Sequence, residues 1–314
     1  MKKLPKKTTV SLVLGSGGAR GLAHIGVIGW LEEHGYEIRS IAGSSMGALV
    51  GGIYAAGELD VYRRWVSALD LVDVLRLLDF SFGGRGLIKG ERLMGVLRDL
   101  IGDRAIESLP LSFTAVATDL DTGREVWLDR GSLFDAIRAS IAIPTIFTPQ
   151  EIGGRLLVDG GLVNPIPIAP TLRDLTDLTV AVNATAPVRG APPAPEPEPA
   201  ASSSDASGGT GGDGYRRRIA QFLAALGDLA APRGPDLGLF DVISRSMDTM
   251  QSRIARFQLA AQAPDVLIEI PRDACQIHEF HRAGELVQVG KERTAQAFAG
   301  FRTPLRKKPA AGAA

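Results

Sequence analysis

Between Thr9 and Ala56 two local patterns alternate twice, and this narrows the fold more than any other feature of the chain. Thr9 to Leu14 is a short apolar, β-branched run ending in glycines, as a strand buried inside a parallel sheet does. Leu22, Ile25, Ile28 and Leu31 then recur at helical spacing from Gly21 to Glu33, and Gly35 predicts the end of that helix. Ile38 to Ala42 is a second short strand, and Met46 to Ala56 a helix rich in small residues. Strand, helix, strand, helix within about 50 residues calls for parallel strands joined by right-handed crossovers.

The rest of the chain extends the pattern. Residues 58–109 read as mainly helical, broken by a loop from Ser81 to Gly90, and Phe113 to Thr118 is a third core strand. Asp121-Thr122-Gly123 turns the chain into an alternating strand from Arg124 to Leu128. Gln150 to Ile152 and Arg155 to Val158 flank Gly153-Gly154, a hairpin signal. Leu178 to Val182 and Val266 to Ile270 add strands, and a final helix is expected from about His278 to Phe301. The expected fold class is α/β, a mainly parallel central sheet flanked by helices, built as a single domain over 1–314. One stretch interrupts it. Residues 187–214 are made of Pro, Ala, Ser, Gly and a few acids, with too little to bury to offset the entropy of ordering, and are expected to form a disordered surface insertion. Within 215–231, three arginines precede Ile219, Phe222, Leu223, Leu226 and Leu229, the spacing of an amphipathic helix suited to anchoring at an interface or covering a site. Residues 237–301 return to the same domain with helices and the last strand.

Composition removes several classes of function. Lys plus Arg, 35, balances Asp plus Glu, 35, so no whole-chain field points to nucleic acid. Cys275 is the only cysteine, which rules out an intrachain disulfide and implies no oxidising compartment. The apolar run behind the first lysines turns glycine-rich without a cleavage signal and reads as a buried strand. No stretch reaches the roughly 18 apolar residues that would span a bilayer. A cytoplasmic protein is expected, touching membranes only from the surface. Nothing in the sequence sets its oligomeric state.

Three motifs carry chemistry. Gly43-Ser44-Ser45-Met46-Gly47 is a G-x-S-x-G between an expected strand and an expected helix. A sharp strand-to-helix turn there presents the central serine, the glycines let the backbone pass, and the helix N-terminus favours developing negative charge. Gly15-Ser16-Gly17-Gly18-Ala19-Arg20-Gly21 also joins a strand to a helix, and can aim several backbone N–H groups at one anion. A dinucleotide fingerprint would need its third glycine at position 20, which is Arg20. Asp159-Gly160-Gly161 follows a short strand; such an aspartate either faces a neighbouring serine as proton acceptor or merely stabilises a turn.

In this order the three motifs resemble those of the patatin-like phospholipase family over residues 8–185, and Ala139 to Pro149 looks like the family's segment before the aspartate. The resemblance implies a patatin-like three-layer architecture and a lipid acyl-hydrolase with a Ser–Asp dyad. Ser45 would be the nucleophile and Asp159 the base, with N–H groups around Gly17, Gly18 and Ala19 as the oxyanion hole. Gly15, Arg20, Gly21, Gly43, Gly47, Gly160 and Gly161 would support the motifs. It implies a lipid substrate, phospholipid or lysophospholipid, and no metal or other cofactor. A carboxylate is a weak base toward a serine hydroxyl unless desolvated, so an apolar surround is expected, supplied by Ile141 to Phe147.

Two rivals stand beside this reading. Ser45, Asp159 and His278 or His281 also satisfy the chain order of a Ser–His–Asp α/β-hydrolase. A non-catalytic lipid-binding regulatory protein is the other. For Arg20 the alternatives are an ion pair that fixes the glycine loop and a contact with a phosphate head group. His24 is expected to pack against the sheet, Cys275 to be buried, and Asp119 and Asp121 to serve turn chemistry rather than a metal.

Overall fold

The computed structural model describes residues 7–77, 91–102, 104–144, 146–188 and 239–301. The chain separates into two compact units, Met1–Arg189 with Met247–Ala314, and Gly190–Ser246. The described part of the second unit is residues 239–246, the start of a helix. The expected loop from Ser81 to Gly90, the amphipathic segment 215–231 and all but the first two residues of the 187–214 insertion lie outside the described residues.

The strands are β1 (Thr9–Leu14), β2 (Glu37–Ser44), β3 (Ser112–Asp119), β4 (Glu125–Leu128), β5 (Gln150–Ile152), β6 (Arg155–Asp159), β7 (Leu178–Ala186) and β8 (Val266–Pro271). The helices are α1 (Ala23–Glu33), α2 (Met46–Ala55), α3 (Leu59–Ala68), α4 (Leu71–Leu77), α5 (Glu91–Ile101), α6 (Leu133–Ser140), α7 (Leu239–Ala261) and α8 (Ala283–Ala299). The sheet runs β5-β6-β3-β2-β1-β7-β8, with β4 also on β3. β3, β2, β1, β7 and β8 are parallel neighbours, while β4 and β6 join β3, and β5 joins β6, antiparallel. This is the α/β class that the early alternation predicts.

Every residue of β1 is buried, as a strand covered on both faces requires. Leu12, Leu14, Val180, Val182 and Ile268 pack into one core with α1, α2, α6 and α8. Val13 and Ala181, on the opposite face, pack with Ile166, Ile168 and Ala255 of α7. Helices thus cover both sides of the sheet. The small residues of α2 have a specific purpose: a Cβ on Gly51 would fall 2.7 Å from the Ile41 side chain, and one on Gly52 would fall 2.6 Å from that of Ile137. The tight hairpin also forms as expected, with Ile152 paired to Arg155 and positive φ at both Gly153 and Gly154.

Two helices begin later than the sequence reading has them, and β2, β3 and β7 run longer. The helix behind the glycine loop starts at Ala23, because Gly18–Leu22 wind into a tighter 3-10 turn. The last helix starts at Ala283, behind another such turn, Phe280–Arg282.

One piece of register positions the site. Consecutive residues of β3 hold two different strands, Val116 pairing with Ser44 of β2 and Ala117 with Asp159 of β6. The residue after Ser44 therefore emerges beside Asp159.

Candidate active site

Ser45 sits between the last residue of β2 and the first of α2, with φ 57° and ψ −124°. Among the described residues it is the only non-glycine with positive φ, a costly conformation that only a well-determined surround maintains. The glycines on either side make the turn sterically feasible. A Cβ on Gly43 would lie 2.5 Å from the amide nitrogen of Ala48, and one on Gly47 would overlap the Leu14 carbonyl. The Ser45 N–H donates to Ser140 Oγ at 3.0 Å, and Ser140 Oγ in turn donates to the Val116 carbonyl at 2.6 Å. Ser140 thus ties the strained residue to the strand that sets the register.

The Ser45 hydroxyl donates directly to Asp159 Oδ2 at 2.5 Å. The other carboxylate oxygen accepts the Gly161 N–H at 2.7 Å. The Asp159 backbone is held by Ala142, whose carbonyl accepts its N–H at 2.9 Å, and by Thr118, whose hydroxyl donates to its carbonyl at 2.8 Å. Ser45 and Asp159 are both buried, and Ile141, Ala142 and Phe147 of the expected apolar loop are buried as well. Burial pushes the Asp159 carboxyl up to about 6, with the Ser45 and Gly161 hydrogen bonds pulling the other way. The serine and the carboxylate meet directly, without an intervening side chain. His281 belongs instead to the turn Phe280–Arg282, which packs against α3 and α4.

The glycine loop lies beyond β1. Gly15 N–H donates to the Val182 carbonyl at 3.0 Å, Ser16 N–H to that of Pro165 at 2.9 Å, and Ala19 N–H to that of Ile277 at 2.9 Å. Of the three amides the sequence proposes for an oxyanion, that of Ala19 is thus engaged, whereas those of Gly17 and Gly18 donate to no described group. Gly18 has φ +56°, and a Cβ there would lie 2.7 Å from the Ile277 carbonyl oxygen, so this position needs glycine. Arg20 is almost fully buried: its Nε donates to the Gly17 carbonyl at 3.2 Å, Nη1 to that of Arg272 at 3.1 Å, and Nη2 to Asp248 Oδ1 at 2.6 Å. The ion pair weighed for Arg20 is present, and the same side chain grips the glycine loop. His24 is also fully buried, with Nε2 2.8 Å from the Gly15 carbonyl, and burial pushes it down to about 4. It is therefore neutral near pH 7, with Nε2–H as donor to Gly15.

Asp119 and Asp121 behave as turn residues. Asp119 Oδ1 accepts the N–H groups of Asp121 and Thr122 at 3.1 and 3.0 Å, which holds its carboxyl below the usual range. Cys275 is buried, which pushes its thiol up to about 11. A cavity of about 580 Å³ opens at the far, amino-terminal ends of β2 and β3, lined by Glu37, Arg39, Glu107, Ser112 and Arg173, and is separate from the dyad.

Sequence reasoning missed Ser140, Asp248 and Gln251. Ser140 falls inside the segment flagged from Ala139 to Pro149, but no local pattern reveals that its hydroxyl reaches back 95 positions to Ser45. Asp248 lies 228 positions from Arg20, on a helix whose sequence carries no motif.

A family model for patatin-like phospholipases matches residues 12–172. An uncharacterized NTE family protein of Mycobacterium tuberculosis is 42% identical over 342 residues, which cover 93% of this chain and 92% of the relative. The neuropathy target esterase sws of Drosophila virilis is 32% identical over 168 residues, 51% of this chain and 11% of the fly protein. Among solved structures, VipD from Legionella pneumophila covers 95% of this chain and 67% of its own, with a TM-score of 0.44 at 14% identity.

Proposed function

The chain belongs to the patatin-like phospholipase family, and from that premise we propose that it is a lipid acyl-hydrolase working through an acyl-enzyme on Ser45, with Asp159 as base. One observation carries this reading: the 2.5 Å contact between the Ser45 hydroxyl and a buried, partly desolvated carboxylate.

In the first half-reaction Asp159 accepts the serine proton as Ser45 Oγ bonds to the acyl carbon. The tetrahedral oxyanion is held by the glycine-loop amides, of which those of Gly17 and Gly18 donate to no described group while that of Ala19 already donates to the Ile277 carbonyl. The ester C–O bond breaks, and the leaving alkoxide takes the proton from Asp159. In the second half, water gives a proton to Asp159 while its oxygen attacks the acyl carbon. Ser45 then leaves, regains the proton, and the fatty acid is released. Every step uses groups of this chain and water alone.

A carboxylate raised to about 6 is ionised at neutral pH yet a better base than an ordinary aspartate. The substrate class is a carboxylic ester of a lipid, a phospholipid or lysophospholipid. Among the described residues no helix is long and apolar enough to cross a membrane. The proposal puts the encounter with lipid at a membrane surface. Hydrolysis of lysophospholipids, phospholipids and short p-nitrophenyl esters, in wild type and Ser45→Ala, tests the proposal, with chelator present to check metal independence. Turnover of at least one lipid ester that Ser45→Ala abolishes is expected. A folded protein that turns over none of them, and whose Ser45 a fluorophosphonate fails to label, points to the lipid-binding regulatory alternative.

A further inference from the structure

We propose that Asp248 and Gln251 of α7 are positioning residues that aim the oxyanion amides at the dyad, an inference that rests on the acyl-hydrolase reading above. Both lie outside residues 12–172, the part of the chain that the family model matches. They stand three positions apart on α7 and therefore share one face of the helix.

A peptide unit is planar and trans, so its C=O and N–H point in opposite directions. Arg20 Nε holds the Gly17 carbonyl at 3.2 Å, and this directs the N–H of Gly18 away from Arg20. Arg20 can act as that anchor only while its own guanidinium is held. One end is held by the Arg272 carbonyl and the other by the Asp248 carboxylate at 2.6 Å. A buried guanidinium deprived of its carboxylate seeks other partners, and the loop carbonyl that it grips moves with it.

Gln251 braces the other side. Its Oε1 accepts the Ser16 hydroxyl at 3.0 Å, and its Nε2 lies 2.9 Å from the place a Cβ on Gly161 would occupy. Gly161 is the residue whose N–H orients Asp159. One helix face thus touches the glycine loop at Ser16 and Arg20 and the aspartate turn at Gly161. The separation between oxyanion donors and base is set across these contacts.

The test uses the full chain and counts active sites by fluorophosphonate titration, so that turnover refers only to folded, competent molecules. Asp248→Ala is expected to lower kcat per active site by about tenfold to a hundredfold, with KM within about twofold, since misplacing a transition-state donor acts on the chemical step. Asp248→Glu restores most of the loss. Gln251→Ala lowers kcat by a smaller factor, and Met250→Ala, on the exposed side of the same helix, leaves it unchanged. Melting temperatures are measured in parallel: if Asp248→Ala loses melting temperature and active fraction but turns over normally per labelled site, the residue is merely structural and the proposal is overturned. If instead Ser45→Ala hydrolyses esters as fast as wild type, the acyl-hydrolase reading fails and the positioning role fails with it. Ser45-dependent hydrolysis alongside a normal Asp248→Ala kcat sinks the positioning role alone.

Discussion

At Asp159 burial and hydrogen bonding push in opposite directions. Burial wins, lifting the carboxyl from its ordinary 3.8 to about 6, while the Ser45 hydroxyl and Gly161 amide limit the rise. Two consequences follow at this single residue. The base must be ionised, so kcat/KM for a soluble p-nitrophenyl ester is expected to rise tenfold per pH unit below about 6 and level off above it. A profile flat from pH 4.5 to 8 removes Asp159 as the base. The second consequence concerns stability. The folded state holds this proton more tightly than the unfolded one, so the group's contribution is favourable below pH 3.8 and is lost as pH rises through about 6. A shift of this size corresponds to about 3 kcal/mol. Asp159→Asn is therefore expected to melt above wild type at pH 8 while losing activity, with the difference shrinking toward pH 4. Equal melting temperatures at pH 8 would show that the carboxylate carries no burial cost.

Among the elements, the nucleophile turn depends on three neighbours: β3 for register, α6 for a hydrogen-bond acceptor, and β1 for the surface against which Gly47 packs. Ser140 at the end of α6 accepts from one backbone group of this junction and donates to another. Ser140→Ala leaves the buried Ser45 N–H and Val116 carbonyl without this partner, and is expected to cost about 2 kcal/mol in urea unfolding and to slow fluorophosphonate labelling of Ser45. Unchanged labelling would show that the strained φ of Ser45 holds without it. The elements legible in the sequence are those whose cause is local. β1 announces itself by continuous β-branched residues, α2 by its small residues, and the β5–β6 hairpin by Gly153-Gly154. The Ser45 elbow and the Asp159 turn were legible for the same reason, since each motif carries its own geometry. Where partners come from far away, the reading fell short. β7 continues past Val182 to Ala186 through the polar Asn183 and Thr185, whose side chains bond each other at 2.9 Å and so tolerate burial. The clamp from α7 onto the glycine loop has no local signature, because nothing near Asp248 in sequence indicates the buried arginine that it meets.

For the molecule as a whole, two helices distant in sequence close one face of the sheet through glycines. A Cβ on Gly26 of α1 would overlap the Val287 carbonyl, and one on Gly290 of α8 would overlap that of Ala23. The backbones approach too closely for any larger residue. Gly290→Val is therefore expected to lower stability by about 3 kcal/mol in urea unfolding, through overpacking far from the dyad. A variant as stable as wild type would mean that this crossing adapts. The same sheet gives the site its one indispensable relation, a strand that grips Ser44 and Asp159 at successive positions. The most direct measurement of the central claim is the rate of ester hydrolysis by Asp159→Asn set against that of the His278→Ala/His281→Ala double variant. A working Ser–Asp dyad predicts a loss of about a thousandfold or more in the first and a rate within about twofold of wild type in the second. A double-histidine variant that loses activity by orders of magnitude, or an Asp159→Asn enzyme that keeps it, would contradict the account.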